Sequence, residues 1–527
     1  MTEESRAGQR AWIWVAVVAA VIGVLLRGRA LFANRSLWLD EAMVSLNICG
    51  RSFAGLMRPL DYDQGAPIGF LWVEKLSVLA LGPNELALRL FPFLASLATI
   101  ALVYRFCRAH FEREGAAIGV AVIAVMPSLI SYAGEAKQYA VDVAAGLLVM
   151  TLIADSLREG INARRAAVLA VVGAICVWIS HPVVFILAGA GATLILKEGF
   201  HRRFGPALLG AGAAAVWLVS FAGHYLLSLK DLQTNSYLND FWEAGFLALP
   251  PRSIKDLRQY MVIGLGIFEA PFHNTQLEEN LSERMSVITA AIWLCGVGIL
   301  LRRKERGLAM LLVMPLVVAA LAAVAHKYPL RFRLALFTVG PVLLAGIAGL
   351  SYLIRSDDRT GRILGRVLTL CCLLLPAAQA GQFLLDRPKP YGAKTVLEEV
   401  AREWQPGDLL LVDGGSEPPF RWYQTYGRIP GLDRVTPTPT PEGLADPATL
   451  VAALPRLKGQ ARVWMLISAH LADRSGREAQ LLRLTLDQWG ERLASVNAPG
   501  YYAYLYDFHH GDMALTRNHT VTTPRGN

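Results

Sequence analysis

The chain has 527 residues, of which 54% are hydrophobic and only 18% charged, and its mean hydropathy is +0.39. Soluble domains carry about a quarter charged residues, so this composition excludes an ordinary soluble protein and indicates a membrane protein. The net charge of +9 lies largely in short loops between apolar runs, where membrane orientation explains it, and nucleic-acid binding is not expected. The six cysteines show no metal-ligand spacing.

Apolar runs recur through the first 385 residues, each near the ~20 residues that a spanning helix requires. The fold class that they predict is an α-helical polytopic membrane protein with about eleven spans. These spans are residues 11–31, 86–106, 115–131, 140–157, 166–181, 182–197, 206–229, 283–301, 307–325, 334–354 and 363–385. Residues 1–10 then form a short N-terminal segment, and 11–385 form the membrane domain.

Lysine and arginine in the short loops predict the orientation. Four basic connectors, 105–113, 158–165, 197–204 and 301–307, fall on one side together with the N-terminus. We therefore expect a multi-pass protein of the cytoplasmic (inner) membrane, with the N-terminus in the cytoplasm. Arg27 and Arg29 run against this bias, which suggests that positive charge is needed on the outer side there.

The outer face then receives the loops 32–85 and 230–282 and everything after residue 385. Residues 67–81 are apolar but short for a span, and they contain Glu74 and Lys75. We interpret them as a helix that lies at the outer interface, with Trp72 at headgroup depth.

Residues 386–527 differ from the rest and predict a small extracytoplasmic α/β domain. "DLLLVDGG", "ARVWMLISA" and "YYAYLYDF" are typical of strands, whereas "KTVLEEVAREW" and "GREAQLLRLTLDQWG" have helical period. "TPTPTPEG" (436–443) is a Pro-rich loop, and "DGG" (413–415) is better explained as a turn at a strand end than as a site.

Asp40 and Glu41 are adjacent carboxylates in "RSLWLDEAMVSL", just after the first span. One explanation is a solvated loop pair, or an N-cap in which Asp40 begins a helix near Glu41. The flanking residues are apolar, however, and carboxylates at a membrane face are costly. A functional role is therefore the favoured hypothesis.

Two further outer clusters contain polar groups. In "SYAGEAKQYAVD", Glu135 and Tyr139 would share a helical face, and Lys137 lies between them; a salt-bridged turn is the alternative. In "DYDQGAPIGF", Gly65 and Pro67 mark a turn before the interfacial helix. The candidate substrate-binding residues of these clusters and of the outer turn before Pro182 are Asp61, Asp63, Gln64, Glu135, Tyr139 and His181.

The outer stretch "HKYPLRFR" ends in Arg331 and Arg333 and is basic where the orientation bias disfavours basic residues. Guanidinium groups bind phosphate through paired hydrogen bonds, so a lipid phosphate is a plausible ligand, and Arg89 and Lys137 are further candidates. The alternative is anchoring to anionic headgroups. A carboxylate base beside a cationic phosphate site suits transfer of a group from a membrane-embedded phosphate donor.

The ordered set "WLDEA", "QGAPIGF", "NELALRLFP" and "GEAKQYAVD" resembles the GT-C glycosyltransferases, over about residues 10–385. The nearest branches are the protein O-mannosyltransferases and the aminoarabinose-lipid A transferases. The resemblance implies that Asp40 is the catalytic carboxylate, with Glu41 as its neighbour. It also implies a polyprenyl-phosphate sugar as donor, met by Arg89, Arg331 and Arg333, and inversion at the anomeric carbon.

The resemblance leaves the acceptor open, as a lipid, a glycan or a protein. Some family members place a metal at the turn where this chain has Gly65 and Ala66, which cannot ligate, so no cofactor is expected to be required. The alternative is a divalent metal held by replacement ligands from Asp61, Asp63 or the loop with His273. A transporter or lipid flippase is the competing hypothesis, although it favours ionisable residues near the midplane and an internal repeat. A receptor would not need eleven spans.

Overall fold

The computed structural model describes residues 3–111, 113–200, 202–272, 279–385, 392–438, 454–468 and 477–509. Up to residue 385 the regular elements are helical. The first of them are α1 (Glu3–Phe32), α2 (Leu39–Gly50), α3 (Ile68–Leu81), α4 (Glu85–His110), α5 (Arg113–Val125), α6 (Pro127–Ala133), α7 (Tyr139–Glu159), α8 (Ala163–Ile179) and α9 (Val183–Phe200). They are followed by α10 (Phe204–His224), α11 (Lys230–Thr234), α12 (Ser236–Phe241), α13 (Ile254–Glu269), α14 (Glu279–Arg302), α15 (Arg306–Val324), α16 (Val339–Ile354) and α17 (Arg359–Leu385).

Each of the eleven predicted spans is mainly helical, although 115–131 covers two helices, α5 and α6, and 334–354 begins in a 3-10 turn before α16. Within the described residues, eight helices are long and apolar enough to cross a membrane, or nine if α5 and α6, bent by 57°, form one span. The bend falls at Pro127, whose ring cannot continue the helix that precedes it. The polytopic membrane fold is confirmed. The two further predicted spans, α8 and α9, have 17 and 18 residues, and their crossing stays a prediction.

Helix α3 confirms that residues 67–81 are helical, and its lipid-interface position stays a prediction. Trp72 is 38% exposed and donates from its indole to the Phe53 carbonyl oxygen at 3.0 Å. Glu74 faces inward and is fully buried, and neither of its carboxylate oxygens has a hydrogen-bond partner among the described residues. Burial therefore raises the pKa of Glu74 well above its usual value, which favours the neutral acid.

Arg27 and Arg29, which run against the orientation bias, have packing roles. The fully buried Arg27 donates to Ser96 Oγ at 2.8 Å and to the carbonyl oxygens of Ile123 and Ala124 at 2.9 and 3.1 Å. Arg29 donates to the Phe383 carbonyl oxygen. These two arginines therefore join α1 to α4, α5 and α17, which explains them without an external ligand.

Helices α14 and α16 approach closely at Gly296. A Cβ at this position would lie 1.9 Å from the Ala345 carbonyl oxygen. Small residues allow this kind of backbone approach between membrane helices, where dispersion contacts replace the hydrophobic effect as the main attraction.

The C-terminal region forms a four-stranded sheet in the order β1-β2-β4-β3. Its strands are β1 (Leu409–Val412), β2 (Val463–Ser468), β3 (Glu491–Ala498) and β4 (Tyr501–Asp507), and its helices are α18 (Gly392–Glu403), α19 (Glu417–Thr425) and α20 (Arg477–Trp489). β1 runs parallel to β2, and the other pairs are antiparallel. The predicted small α/β fold is confirmed, and β3 was not predicted.

The "DGG" stretch forms the turn after β1, as expected. The Asp413 carboxylate accepts hydrogen bonds from the backbone N–H groups of Ser416 and Ser468 at 2.7 and 2.9 Å. Burial nevertheless raises the pKa of Asp413 to about 6. The predicted Pro-rich loop 436–443 lies only partly within the described residues.

The chain divides into two compact units. The first, the membrane unit, comprises Met1–Asn34, Asn47–Gly82 and Leu86–Arg387. The second, the tail unit, comprises Pro388–Asn527 together with two short segments from the N-terminal part of the chain, Arg35–Leu46 and Pro83–Glu85. The acidic pair at residues 40 and 41 therefore belongs to the tail unit.

Candidate functional site

The acidic pair lies in the first turn of α2. The Glu41 side chain is fully buried, forms an ion pair with Arg35 at 3.1 Å, and accepts a hydrogen bond from the Trp38 backbone N–H at 3.3 Å. Helix α2 begins at Leu39, so the Glu41 side chain reaches back to the residue that precedes the helix, as the acidic partner of a capping box does. Glu41, not Asp40, therefore stabilises the helix start.

Asp40 is partly exposed on the same turn. Acidic side chains are common in the first turn of a helix, where they interact favourably with the helix dipole, and Asp40 occupies this position in α2. The two neighbouring carboxylates therefore differ in role. The Glu41 carboxylate is buried and engaged by Arg35 and the Trp38 N–H, whereas Asp40 is partly exposed. Asp40 is the better candidate for a general base.

The "DYDQG" turn is strained. Tyr62 and Asp63 have positive φ angles of 63° and 50°, in the left-handed region. Residues other than glycine rarely adopt this backbone conformation, and two in succession are unusual. Such strain persists only where neighbours impose it, and it clusters at functional sites. Here Asn235 donates to Asp63 Oδ1 at 2.6 Å, and Asn47 Oδ1 accepts from the Asp61 N–H at 3.0 Å.

Asp61 is held by other protein groups as well. Its carboxylate forms an ion pair with Arg51 at 2.7 Å. The structure therefore gives Asp61 a contact within its own loop, and Asp63 a contact with Asn235, which lies between α11 and α12. Their predicted role in substrate binding stays a prediction.

Two predicted clusters meet at one junction in the membrane unit. Lys137 Nζ donates to Gln64 Oε1 at 2.7 Å, and Gln138 Nε2 donates to the Gly65 carbonyl oxygen at 3.3 Å. Lys137 is 4% exposed, so a cation is buried there. We use "the junction" for Gln64, Gly65, Lys137, Gln138 and Tyr139.

One expectation about this cluster is wrong. Glu135 and Tyr139 do not share a helical face, because α6 ends at Ala133 and α7 begins at Tyr139. Residues 134–138 are a turn, and Pro127 and Gly134 limit the short α6 on either side. Glu135 lies in the same turn as Lys137 and Gln138 of the junction and is buried, with 6% of its surface exposed.

The basic stretch "HKYPLRFR" also contacts the junction, through Arg333. The Arg333 guanidinium lies 5.7 Å from the centre of the Tyr139 ring and 5.9 Å from that of Trp242. Arg331 instead lies over the ring of its own neighbour Phe332, at 4.5 Å. The structure thus distinguishes two arginines that the sequence could not. Arg89 is fully buried in the second turn of α4.

A group of buried polar side chains lies near the predicted residue His181. Its ring lies 5.3 Å from that of His224, which in turn contacts Trp178 edge-on at 5.1 Å. Hydrogen-bonding atoms without a partner among the described residues are His181 Nε2, both ring nitrogens of His224, Ser180 Oγ and Asp142 Oδ1.

Sequence reasoning did not select Ser180 or His224, and Asp142 was part of the "SYAGEAKQYAVD" cluster without a role of its own. A signal existed for His224, since an ionisable residue inside a spanning helix indicates function by default. Their unmet hydrogen-bonding capacity suits a ligand that carries hydroxyl groups.

The junction does not fit the divalent metal that some family members carry. Gln64 offers its amide oxygen there, and the Lys137 ammonium already occupies that oxygen at 2.7 Å. A second cation beside this ammonium would be repelled. Searching the described ranges finds no group of three or more His, Cys, Asp or Glu residues that could hold a metal ion. His273, considered from the sequence as a replacement ligand, lies outside those ranges.

Chelation is therefore expected to have little effect. If the protein has the sugar transfer that the GT-C resemblance implies, the rates with and without EDTA should agree within about twofold, because an ammonium group supplies the positive charge at the junction. Loss of transfer in EDTA that Mg²⁺ or Zn²⁺ restores would contradict this expectation. A Gln64→Ala variant is the matched control, since removing the amide oxygen should not create a metal requirement.

A family model and two solved structures of known proteins are similar to this chain. Residues 65–227 match a family model described as dolichyl-phosphate-mannose-protein mannosyltransferase. The chain is similar to the crystal structure of ArnT from Cupriavidus metallidurans in the apo state, with 14% identity, 95% of this chain and 98% of that chain covered, and a TM-score of 0.52. The chain is also similar to the crystal structure of ArnT from Cupriavidus metallidurans bound to undecaprenyl phosphate, with 13% identity, 94% of this chain and 97% of that chain covered, and a TM-score of 0.50. Comparison with curated proteins finds no match.

These findings confirm the resemblance to the GT-C superfamily that the sequence motifs carried. The chain has the GT-C fold of a polytopic membrane protein with a small C-terminal sheet. At 13–14% identity the structural likeness establishes the fold, and the activity requires its own argument.

Proposed function

We propose that this protein is a membrane glycosyltransferase that moves a sugar from a polyprenyl-phosphate donor to an acceptor hydroxyl at the outer face of the cytoplasmic membrane. The family model over residues 65–227 and the GT-C fold support this class of reaction. The undecaprenyl phosphate bound to the similar ArnT structure supports a polyprenyl phosphate as the lipid.

The junction is the observation that carries the proposal. It brings together three segments that are far apart in sequence, and Lys137 and Arg333 are among their residues. A lipid phosphate is a suitable ligand for these two cationic side chains, because guanidinium and ammonium groups both form charge-assisted hydrogen bonds with its oxygens. The fully buried Arg89 is a further candidate for the same phosphate.

In the proposed reaction Asp40 accepts the proton of the acceptor hydroxyl. The acceptor oxygen forms a bond to the anomeric carbon, and the bond between that carbon and the phosphate oxygen breaks. The polyprenyl phosphate leaves with the bonding electron pair, and the cationic side chains stabilise its added charge. Attack opposite the leaving group inverts the anomeric configuration.

The polar group around His181 provides candidate contacts for the sugar. Neutral imidazoles can both donate to and accept from hydroxyl groups. Asp142 and Ser180 add a buried carboxylate and a buried hydroxyl to this group. The acceptor is a hydroxyl group of a lipid, a glycan or a protein.

The proposal is tested on the purified protein in lipid nanodiscs. We expect mass spectrometry to detect a co-purifying polyprenyl-phosphate sugar, and the labelled sugar of such a donor to appear on an acceptor. A matched sample of the inactive Asp40→Asn protein should retain the donor and form no product. Lipid that crosses the bilayer without formation of a glycoside would instead support the flippase hypothesis.

The orientation is tested by reporter fusions. A reporter that is active only outside the cytoplasm, fused after residue 527, should be active, and a reporter active only inside should not. The reason is that the basic loops and the N-terminus share the cytoplasmic face if eleven spans cross. The opposite result would mean an even number of spans, with α8 and α9 as the first candidates for the error because they are the shortest.

A further inference from the structure

The tail unit contains the acidic pair. Its sheet and helices form one compact unit with Arg35–Leu46 and Pro83–Glu85, two segments that flank the outer loop. The first segment includes Asp40, and the second includes the first residue of α4. A domain that merely bound an acceptor would not need to enclose these segments.

A single buried hydroxyl joins the two segments to the tail. Tyr423 of α19 is fully buried. Its Oη accepts a hydrogen bond from the Leu37 backbone N–H at 2.9 Å and donates one to Glu85 Oε1 at 3.1 Å. Leu37 lies two residues before α2, so the contact fixes the backbone just before the turn that carries Asp40.

The residues that contact Glu85 are held in place by other parts of the tail unit. Lys394 of α18 lies 3.5 Å from the same Glu85 oxygen, and α18 packs on β3 and β4. The Gly392 N–H, at the start of α18, bonds to the Pro499 carbonyl oxygen at 3.2 Å. Trp422 packs edge-on against the Tyr423 ring at 5.0 Å. Both groups that hold Glu85 are therefore supported by the tail's own core.

We propose that the tail is the support that fixes the start of α2, and that Tyr423 is a positioning residue for Asp40. The positioning role rests on the proposed glycosyl transfer, whereas the support role does not. Displacing a catalytic group by about 1 Å can lower a rate on the order of a hundredfold, so a base on a short helix benefits from such a support.

Tyr423→Phe tests the proposal because it removes only the hydroxyl. Leu37 N–H and Glu85 then lose a partner, and we expect hydrogen exchange of the Leu37 amide and of peptides covering 35–46 to accelerate about tenfold. The kcat for transfer should fall about tenfold, with the donor KM unchanged. Tyr502→Phe, which removes a partly exposed hydroxyl of β4, is the matched control and should change neither quantity.

Lys394→Gln is a second, milder variant, in case Tyr423→Phe reduces folding. It should accelerate exchange in 35–46 by a smaller factor. Unchanged exchange in 35–46 in both variants overturns the support role, and unchanged kcat despite faster exchange overturns the positioning role. If the wild-type protein transfers no sugar at all, the proposed function fails, and the exchange measurement still decides whether the tail supports α2.

Discussion

Replacing Asp40 by Asn is expected to lower sugar transfer by about 10²–10⁴-fold while the protein expresses and folds normally, because a general base contributes on that order. The amide keeps the size of the carboxylate but cannot accept the acceptor proton. The measurement is the initial rate of transfer from a polyprenyl-phosphate sugar, together with the thermal unfolding temperature of the purified variant.

Two further variants serve as controls for the Asp40→Asn experiment. Asp240→Asn changes an exposed acid of α12 and should keep the wild-type rate. Glu41→Gln should lower the unfolding temperature, because it weakens the ion pair with Arg35 and the cap at Trp38. An Asp40→Asn protein with the wild-type rate would show that another group is the base.

Arg333→Lys is expected to raise the donor KM by roughly tenfold to a hundredfold and to leave the acceptor KM unchanged. A guanidinium can hold a phosphate through two parallel hydrogen bonds and also lie against the Tyr139 and Trp242 rings. Lysine keeps the charge but loses the paired geometry. Each charge-assisted hydrogen bond is worth roughly 1.5–3 kcal/mol, which sets the expected factor.

Arg331→Lys is the control within the same stretch. Arg331 lies over its own neighbour Phe332, so its replacement should raise the donor KM by less than about threefold. Equal effects of the two replacements would indicate that the stretch attracts anionic lipid in general. No effect of either would shift the phosphate to Lys137 or Arg89.

Hydropathy was a sound guide to the membrane helices because a chain in lipid must satisfy its backbone hydrogen bonds within each segment. It was a poorer guide at residues 134–138, where the motif "GEAKQ" has good helix formers. Pro127 and Gly134 limit α6 to seven residues, and the next helix begins only at Tyr139. Strand β3 was missed because "ERLASVNA" has no buried face, and its formation depends on pairing with β4.

The candidate site was predictable where its residues are adjacent in sequence. Asp40, Lys137 and Arg333 stood out because charged residues beside apolar runs are costly. The contact between Gln64 and Lys137 was not predictable, since 73 residues separate the two. The roles of Asp40 and Glu41 could be separated only when the helix start at Leu39 was known.

The pairing of Leu37 with Tyr423 has a consequence for biosynthesis. The two residues are 386 positions apart, so Leu37 leaves the ribosome long before its partner exists. Because the chain is made from the N-terminus, the segment with Asp40 must wait until the last membrane helix and α19 of the tail unit have been synthesised. Closing so long a loop is slow compared with local helix formation. A nascent or truncated chain that lacks α19 would therefore carry the acidic helix without this contact.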